Sequence, residues 1–292
     1  MGYAQINQRG HGIHTRQFAR TFIVEDSPEN RIVFVSVDAG MISHVVKRNV
    51  VRDLRKKYGK LYRMDNVMIS GTRKLSNLCR LKLTPYLIFI STDTHSTPAG
   101  FHQLVLYDLT SLGFVKETFY ALVRGITQSI INAHNNMFEG RIFISETEVQ
   151  DANINRSPSA YANNSPEEKA QYKDNTDKTL VQLRFMDKYN KQVMGAFNWF
   201  AGKRFAWNFM NQNWLNKFAV HPTSMNNTNK FVSSDNVGLA SLLLEQEYNH
   251  DQLVGKGSFV GAFCSSNLGD VSPNIKGPKC QVIEGHSKFF FF

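Results

Sequence analysis

Two residues of this 292-residue chain combine a reactive side chain with a position before a proline. His221 precedes Pro222 after an apolar run, so its imidazole is presented where a strand ends. Metal ligands and catalytic groups are commonly presented at such ends, although a single histidine is more often a hydrogen-bonded structural residue. Ser272 precedes Pro273 after another short apolar run. Its hydroxyl could act as a nucleophile beside a base or a metal, but a serine before proline is also an ordinary turn residue.

Three further polar residues lie in turns or loops. Asp93 and His95 are two positions apart, and Arg156 lies in a segment rich in asparagine and serine. A carboxylate can ligate a metal such as zinc, and a neutral imidazole can donate a hydrogen bond to a developing negative charge. Taken alone, His95 could equally be a turn histidine and Arg156 a solvated loop charge.

The elements that must position these side chains alternate between strands and helices. Residues 31–38 are apolar and β-branched, which predicts a buried strand. A helix follows, because apolar residues recur every four positions and a glycine can end it (Ile42, Val46, Val50, Leu54 and Gly59). Further strands are predicted at residues 66–70, 141–145, 181–185, 193–200 and 258–264, and helices at 115–130 and 236–248. This alternation predicts an α/β domain with a mixed central sheet flanked by helices.

Residues 153–177 are polar and rich in Asn, Ser and Pro, which predicts a long surface loop of the kind that often carries function. The chain has a formal net charge of +10, which could indicate a nucleic-acid partner. Two short segments, 73–93 and 202–218, each contribute a net +3 of that charge. The basic surplus is therefore concentrated in them, and we expect no nucleic-acid partner.

Three cysteines are too few for a disulfide framework. No run of residues is long and apolar enough for a membrane span. Met1 is followed at once by polar residues, so we expect no signal peptide in this chain. Glycosylation sequons at Asn155, Asn163 and Asn226 are weak support for secretion.

Several segments resemble the neutral ceramidase family, and they occur in the family's order. They are Met1-Gly-Tyr with Gly12-Ile-His-Thr-Arg16, Phe34-Val-Ser-Val-Asp-Ala-Gly-Met41, Thr94-His-Ser-Thr-Pro-Ala-Gly-Phe101, Asn153-Ile-Asn-Arg-Ser-Pro158, His221-Pro-Thr-Ser-Met-Asn-Asn227, Ser234-Asp-Asn-Val-Gly238 and Ser265-Ser-Asn-Leu-Gly-Asp-Val-Ser-Pro-Asn274. The resemblance implies a zinc-dependent hydrolase that cleaves the N-acyl amide bond of ceramide, a lipid substrate at the membrane surface, to sphingosine and a free fatty acid.

The resemblance also implies a role for each candidate residue. His221 is a zinc ligand, Ser272 the nucleophile, Arg156 a substrate-contacting residue and His95 a group that faces the substrate beside the zinc. Whether the serine or a zinc-activated water attacks the amide is left open.

The chain departs from the family pattern in three places. The family reads Ser-Gly-Thr-His-Thr-His-Ser without a break, whereas here residues 73–93 intervene and Asp93 replaces the first histidine, a zinc ligand. A second insertion spans residues 202–219, and residues 281–292 form an unrelated tail. Retained introns, and hence a mis-spliced product, would account for both insertions and for the tail.

These departures predict that residues 1–280 are a partial, incomplete catalytic domain. The family continues for several hundred residues, which supply two further zinc ligands and an immunoglobulin-like domain. We therefore expect this chain to be inactive as written. The alternatives are a non-catalytic ceramidase-like fragment and, more remotely, a basic nucleic-acid-binding protein. For the full-length family member the resemblance implies secretion or the cell surface.

Overall fold

The computed structural model describes residues 5–27, 30–70, 92–150, 153–189, 191–200, 221–265, 271–273, 281–283 and 286–288. Its strands are β1 (Gly12–Ile13), β2 (Ala19–Ser27), β3 (Asn30–Val37), β4 (Val67–Ser70), β5 (Gly140–Glu148), β6 (Ile154–Asn155), β7 (Thr179–Asp187), β8 (Val193–Phe200), β9 (Phe231–Val232), β10 (Val260–Ser265), β11 (Val271–Ser272), β12 (Gln281–Ile283) and β13 (His286–Lys288). Its α-helices are α1 (His44–Tyr58), α2 (Val105–Asp108), α3 (Lys116–Asn135), α4 (Pro158–Ala162), α5 (Pro166–Lys169) and α6 (Asp235–Tyr248), with a 3₁₀ turn at Gly59–Leu61.

Two sheets form the centre of the fold. One has the order β2-β3-β4, with β3 antiparallel to β2 and parallel to β4. The other has the order β10-β8-β7-β5, with β10 parallel to β8 and the remaining pairs antiparallel. The predicted α/β class with strands and flanking helices is confirmed, but the strands that we assigned to one central sheet are divided between two.

Alternation along β3 explains why there are two sheets. Val33, Val35 and Val37 pack on one face against α1 and α3. Phe34, on the other face, packs against β8 and β10, with its ring 4.2 Å from that of Phe197. On the second sheet, Phe263 and its neighbours pack against α6. The order of layers is therefore helices, three-stranded sheet, four-stranded sheet and helix. A strand that is apolar on both faces predicts burial of both, but it does not specify whether a helix or a sheet covers each face.

The helix that follows β3 begins and ends as its sequence predicts. The hydroxyl of Ser43 accepts a hydrogen bond from the Val46 amide at 3.2 Å and caps the first turn of α1. Gly59, at φ 63°, ends the helix in a conformation that favours glycine. The predicted apolar face is buried at Val46, Val50 and Leu54.

A buried ion-pair cluster connects the two sheets and α6. Arg20 on β2 lies with its Nη1 3.2 Å from Oδ1 of Asp38 and its Nε 2.9 Å from Oε1 of Glu245. Glu245 also accepts the Gly261 amide of β10 at 3.2 Å. We did not predict β2 as a strand, and the cluster explains why. Arg20 is only 3% exposed, and it is tolerated inside because residues far along the chain neutralise its charge.

The predicted surface loop at residues 153–177 is largely exposed and contains β6, α4 and α5. Residues 73–91 and 202–219 of the predicted insertions lie outside the described residues. The assignment of these segments as insertions therefore stays a prediction. Thr92 and Asp93, at the end of the first insertion, are buried. Within the described part of the chain, no helix is long and apolar enough to cross a bilayer.

Candidate metal centre

The site lies at the carboxyl end of β3, where two irregular segments meet. The first contains Asp93 and His95 and follows the backbone contact from the Thr92 amide to the Val37 carbonyl, at 3.3 Å. It is joined to the segment that contains His221 by the bond from the His95 amide to the Pro222 carbonyl, at 3.5 Å. Backbone bonds therefore bring together two histidines that are 126 positions apart in the sequence.

Two further contacts fix the first segment. The Thr94 hydroxyl donates to the Ser233 carbonyl at 2.7 Å, and the Ser233 amide donates to the Ser96 carbonyl at 2.8 Å. Thr94 and Ser96 are fully buried. Since they flank His95 on both sides, the backbone of that histidine is held between fixed neighbours.

Three potential metal ligands converge here. Oδ2 of Asp93 lies 3.4 Å from Nε2 of His221, and Oδ1 lies 4.0 Å from Nε2 of His95. One ligand atom from each of the three residues lies within 4.8 Å of the others. The two imidazole rings are 5.2 Å apart and nearly perpendicular. Ligands of a tetrahedral zinc at its usual bond lengths lie roughly 3.4 Å apart, so modest closure of these side chains would suffice to hold one.

The protonation state of His95 suits metal binding. Burial, with a smaller contribution from the positive charge of Arg156, lowers the pKa of His95 from its ordinary value to about 4. The ring is therefore neutral at physiological pH. A neutral imidazole can offer a lone pair to a metal or, through its other nitrogen, a proton to an oxyanion.

The backbone of Asp93 adopts an uncommon conformation. Its φ of 54° lies in the left-handed region, which Asp, Asn and His enter more readily than most residues. Such conformations cost of order 1–3 kcal/mol and are concentrated at functional sites. With this backbone conformation, the Asp93 carboxylate lies between the two histidines.

The loop that carries His221 is held by Asp235 and Asn236 at the start of α6. The carboxylate of Asp235 accepts the amides of Ser224 and Met225, each at 3.1 Å. The side chain of Asn236 donates to the His221 carbonyl at 3.3 Å and to the Ser224 hydroxyl at 2.8 Å. These two residues therefore fix the direction in which the His221 ring leaves the backbone. Burial raises the pKa of Asp235.

Arg156 and Ser272 lie on a second pair of segments. β6 and β11 are antiparallel, with Ser272 opposite Ile154, and Arg156 follows β6 directly. The positive charge of Arg156 is the smaller of the two causes that lower the pKa of His95. The role of Ser272 as a nucleophile stays a prediction.

The structure brings together His221 and Asp93, which the sequence suggested as ligands. It also places His95, which we assigned to the substrate, within the same ligand set. Sequence reasoning missed the supporting roles of Asp235 and Asn236. They lie in Ser234-Asp-Asn-Val-Gly238, which was recognised as a family segment without a role. The available signal was an acidic residue and an amide at a predicted helix start, where such side chains commonly bind backbone amides.

Two His nitrogens and a carboxylate oxygen, half-buried to buried at the end of a strand, define a candidate metal centre of the kind found in zinc hydrolases. A family profile for the N-terminal part of neutral/alkaline non-lysosomal ceramidases matches residues 1–79, 84–213 and 204–289. The chain therefore belongs to the neutral/alkaline non-lysosomal ceramidase family.

Individual relatives agree with this assignment. The chain is 51% identical to a neutral ceramidase of Drosophila pseudoobscura pseudoobscura over 282 residues, which cover 97% of this chain and 34% of the relative. It is 44% identical to neutral ceramidase B of Dictyostelium discoideum, over 96% of this chain and 34% of the relative. The chain thus spans about a third of the length of these curated relatives.

Solved structures show the same fold. A structure described as a ceramidase complexed with C2 matches with a TM-score of 0.73 and 35% identity, covering 94% of this chain and 36% of that one. The neutral ceramidase of Pseudomonas aeruginosa matches with a TM-score of 0.72 and 33% identity, covering 98% of this chain and 38% of that one.

Proposed function

We propose that this chain supplies part of the catalytic domain of a zinc-dependent ceramidase, which hydrolyses ceramide to sphingosine and a free fatty acid. The convergence of Asp93, His95 and His221 is the observation that carries the proposal. All three lie in segments by which the sequence resembles the family or at the break in one of them. A bound zinc would polarise the amide carbonyl or a water molecule.

In this proposal His221 and Asp93 hold the zinc. His95 either completes the ligand set or donates a hydrogen bond to the oxyanion formed from the amide. Zinc affinity measured for His95→Ala separates the two roles. A ligand loses affinity on this change, whereas an oxyanion donor leaves affinity unchanged and lowers the turnover of an active form.

Arg156 is proposed to contact the substrate and Ser272 to be the nucleophile. Arg156 is exposed and its positive charge acts on His95, which suits a cationic side chain that meets a polar head group. For Ser272 the alternative is that a water molecule attacks. In that case Ser272→Ala would reduce the rate only modestly, rather than abolish it.

We further propose that the chain as printed hydrolyses ceramide slowly or not at all. Asp93 stands where the family motif has a histidine ligand, and a metal site tolerates only small displacements of its ligands. The substrate is a membrane lipid, so the complete protein would act at a membrane surface. Secretion or presentation at the cell surface is proposed from the resemblance, with weak support from the three sequons.

The test measures fatty-acid release from ceramide dispersed in detergent, with and without zinc. We expect no release from the chain as printed. A form with Asp93→His, without residues 73–92 and 202–219, and joined to the C-terminal part of a relative should release fatty acid. Ser272→Ala in that form should abolish release. Zinc-dependent release by the printed chain that disappears in His221→Ala would contradict the proposed inactivity. Failure of the restored form, when folded and zinc-loaded, would contradict the proposed activity.

A further inference from the structure

A group of apolar side chains projects from the molecule just after the site segment. It comprises Leu104, Val105, Leu106, Leu109, Leu112 and Phe114, and we call it the apolar tip. Val105 is 86% exposed and Leu106 79% exposed. Isolated exposed leucines are common in proteins, but a contiguous group of this kind marks an interaction surface.

Several backbone groups of the tip are hydrogen-bonded within it or to its base. The Leu109 amide donates to the Val105 carbonyl at 3.0 Å, and the Gly113 amide donates to the Asp108 carbonyl at 2.9 Å. The Val115 amide closes the base of the tip on the Gly100 carbonyl at 2.6 Å. Each backbone group that is paired in this way lowers the cost of moving the segment into an apolar medium.

The tip also exposes no charge. Between Gln103 and Val115, Asp108 is the one residue with a formal charge. Asp108 is buried, and its carboxylate accepts a hydrogen bond from the His102 amide at 3.4 Å. The remaining polar side chains of this stretch are neutral. Large exposed aliphatic side chains without an exposed charge are suited to the acyl region of a lipid layer.

A second exposed apolar region, on β5, has different chemistry. Ile142, Phe143 and Ile144 are 47%, 43% and 74% exposed. Among the described residues, β5 pairs only with β7 and ends its sheet. No described strand pairs with its other edge, and a strand edge of this kind favours a polypeptide partner. The sequence around it carries charges at Arg141 and Glu146. The two regions thus call for different partners.

The tip is anchored at the same end of the fold as the metal centre. The Phe101 carbonyl at its base accepts the hydroxyl of Ser43, the cap of α1, at 3.1 Å. The segment with Asp93 and His95 is hydrogen-bonded to the carboxyl end of β3. The Gly40 amide, just after β3, donates to the Thr97 hydroxyl at 3.3 Å. A surface held by the tip would therefore lie beside the candidate site.

We propose that the apolar tip inserts into the outer part of a lipid bilayer and holds the site against the membrane. This inference rests on the proposed function in one respect, since that function makes the substrate a membrane lipid. Insertion would let a poorly soluble lipid pass from the bilayer to the site without crossing water. The binding is driven by burial of apolar side chains, so it should resist salt. Electrostatic attraction of basic residues to anionic lipids would be weakened by salt.

The experiment is co-sedimentation of the printed chain with phosphatidylcholine vesicles at low and high salt. We expect binding at both. The variant Val105→Ser/Leu106→Ser/Leu109→Ser should lose more than about tenfold in vesicle affinity, since each exposed leucine or valine buries several methylene groups. The matched control, Ile142→Ser/Ile144→Ser on β5, should bind as the parent does. Circular dichroism and size-exclusion chromatography would establish that all three are folded and have the same oligomeric state.

Equal binding by parent and tip variant would overturn the proposal, as would absence of binding by the parent. Binding that requires phosphatidylserine and disappears in salt would also overturn it and assign binding to basic residues. A tip variant that changes only the oligomeric state would identify a self-association surface instead.

A second measurement places the tip in the bilayer directly. Fluorescence of Leu106→Trp should be quenched by brominated phosphatidylcholine beyond the level of the parent, while that of Ile144→Trp should not. None of these readouts requires ceramide hydrolysis. The proposed function can therefore fail while the tip still binds, and the tip can fail while detergent-dispersed ceramide is hydrolysed by the restored form.

Discussion

Two buried groups of ionisable side chains lie in this fold, and they are built differently. In the Arg20–Asp38–Glu245 cluster a guanidinium lies between two carboxylates, and the Phe18 amide adds a further bond to Asp38 at 3.1 Å. In the Asp93–His95–His221 centre one carboxylate faces two imidazoles, at distances of 3.4 and 4.0 Å that exceed an ordinary hydrogen bond. In the first group the charged side chains contact one another directly. In the second the carboxylate and the imidazoles are far enough apart for a cation to bind between them.

The backbone segments that carry the two groups also differ. Arg20 and Asp38 lie on or at the end of paired strands, so the cluster is part of the framework that joins the two sheets. Asp93 and His221 lie on segments between strands, held by backbone bonds and by Asp235. We therefore propose that the first cluster serves stability and the second serves metal binding. Substitutions should therefore separate the two properties.

The largest expected effect is on stability, at Arg20. Arg20→Met leaves two carboxylates buried without their cation, and we expect a loss of roughly 3–5 kcal/mol in the free energy of unfolding. Chemical denaturation followed by circular dichroism measures it. The control is Arg52→Ala, because Arg52 is 56% exposed in its pair with Asp53 and should change stability by less than about 1 kcal/mol. Similar losses for the two variants would show that the cluster is not structural.

The next effect is on zinc affinity, at Asp93. Asp93→Ala removes a ligand, so it should cost more than the roughly 10- to 100-fold that loss of a supporting residue costs. Asp93→His should retain zinc, since histidine is a good ligand and tolerates the left-handed backbone of this position better than most residues. Competition with a chromophoric chelator gives the affinities. Equal affinity of Asp93→Ala and the parent would exclude Asp93 as a ligand.

A smaller effect is expected at Asp235, which positions the loop of His221 but contacts no metal in our account. Asp235→Ala should weaken zinc binding by about 10- to 100-fold. The amides of Ser224 and Met225 also lose their acceptor, at a cost of about 1–3 kcal/mol in stability. Asp235→Asn keeps one oxygen acceptor and should recover part of both. A variant with reduced stability and unchanged zinc affinity would show that Asp235 supports the fold alone.

Local periodicity predicted most of the fold. The strand that became β3, the helix α1 with its glycine end and the helix α3 all have an apolar pattern that a single segment carries by itself. β2 was missed because its buried arginine reads as exposed until Asp38 and Glu245 are known to face it. The division into two sheets was missed because pairing between distant strands is not encoded in the pattern of any one of them.

The site was predicted in part for a similar reason. The family segments pointed to His221, His95, Asp93, Arg156 and Ser272, and the structure brings the first three together. The contribution of Asp235 depends on a helix start meeting a loop ten residues earlier, which only the folded backbone shows. The role of Ser272 stays a prediction.

The proposed metal centre can be tested by measuring zinc bound to the purified chain after dialysis against the metal. We expect about one zinc per folded chain, because the chain has a single proposed site. We expect zinc to be lost in His221→Ala and retained in His44→Ala, a change at an exposed histidine on α1, with all three chains equally stable in the absence of metal. The same zinc content in the parent and His221→Ala, or none in the parent, would contradict the claim that these residues form a metal centre.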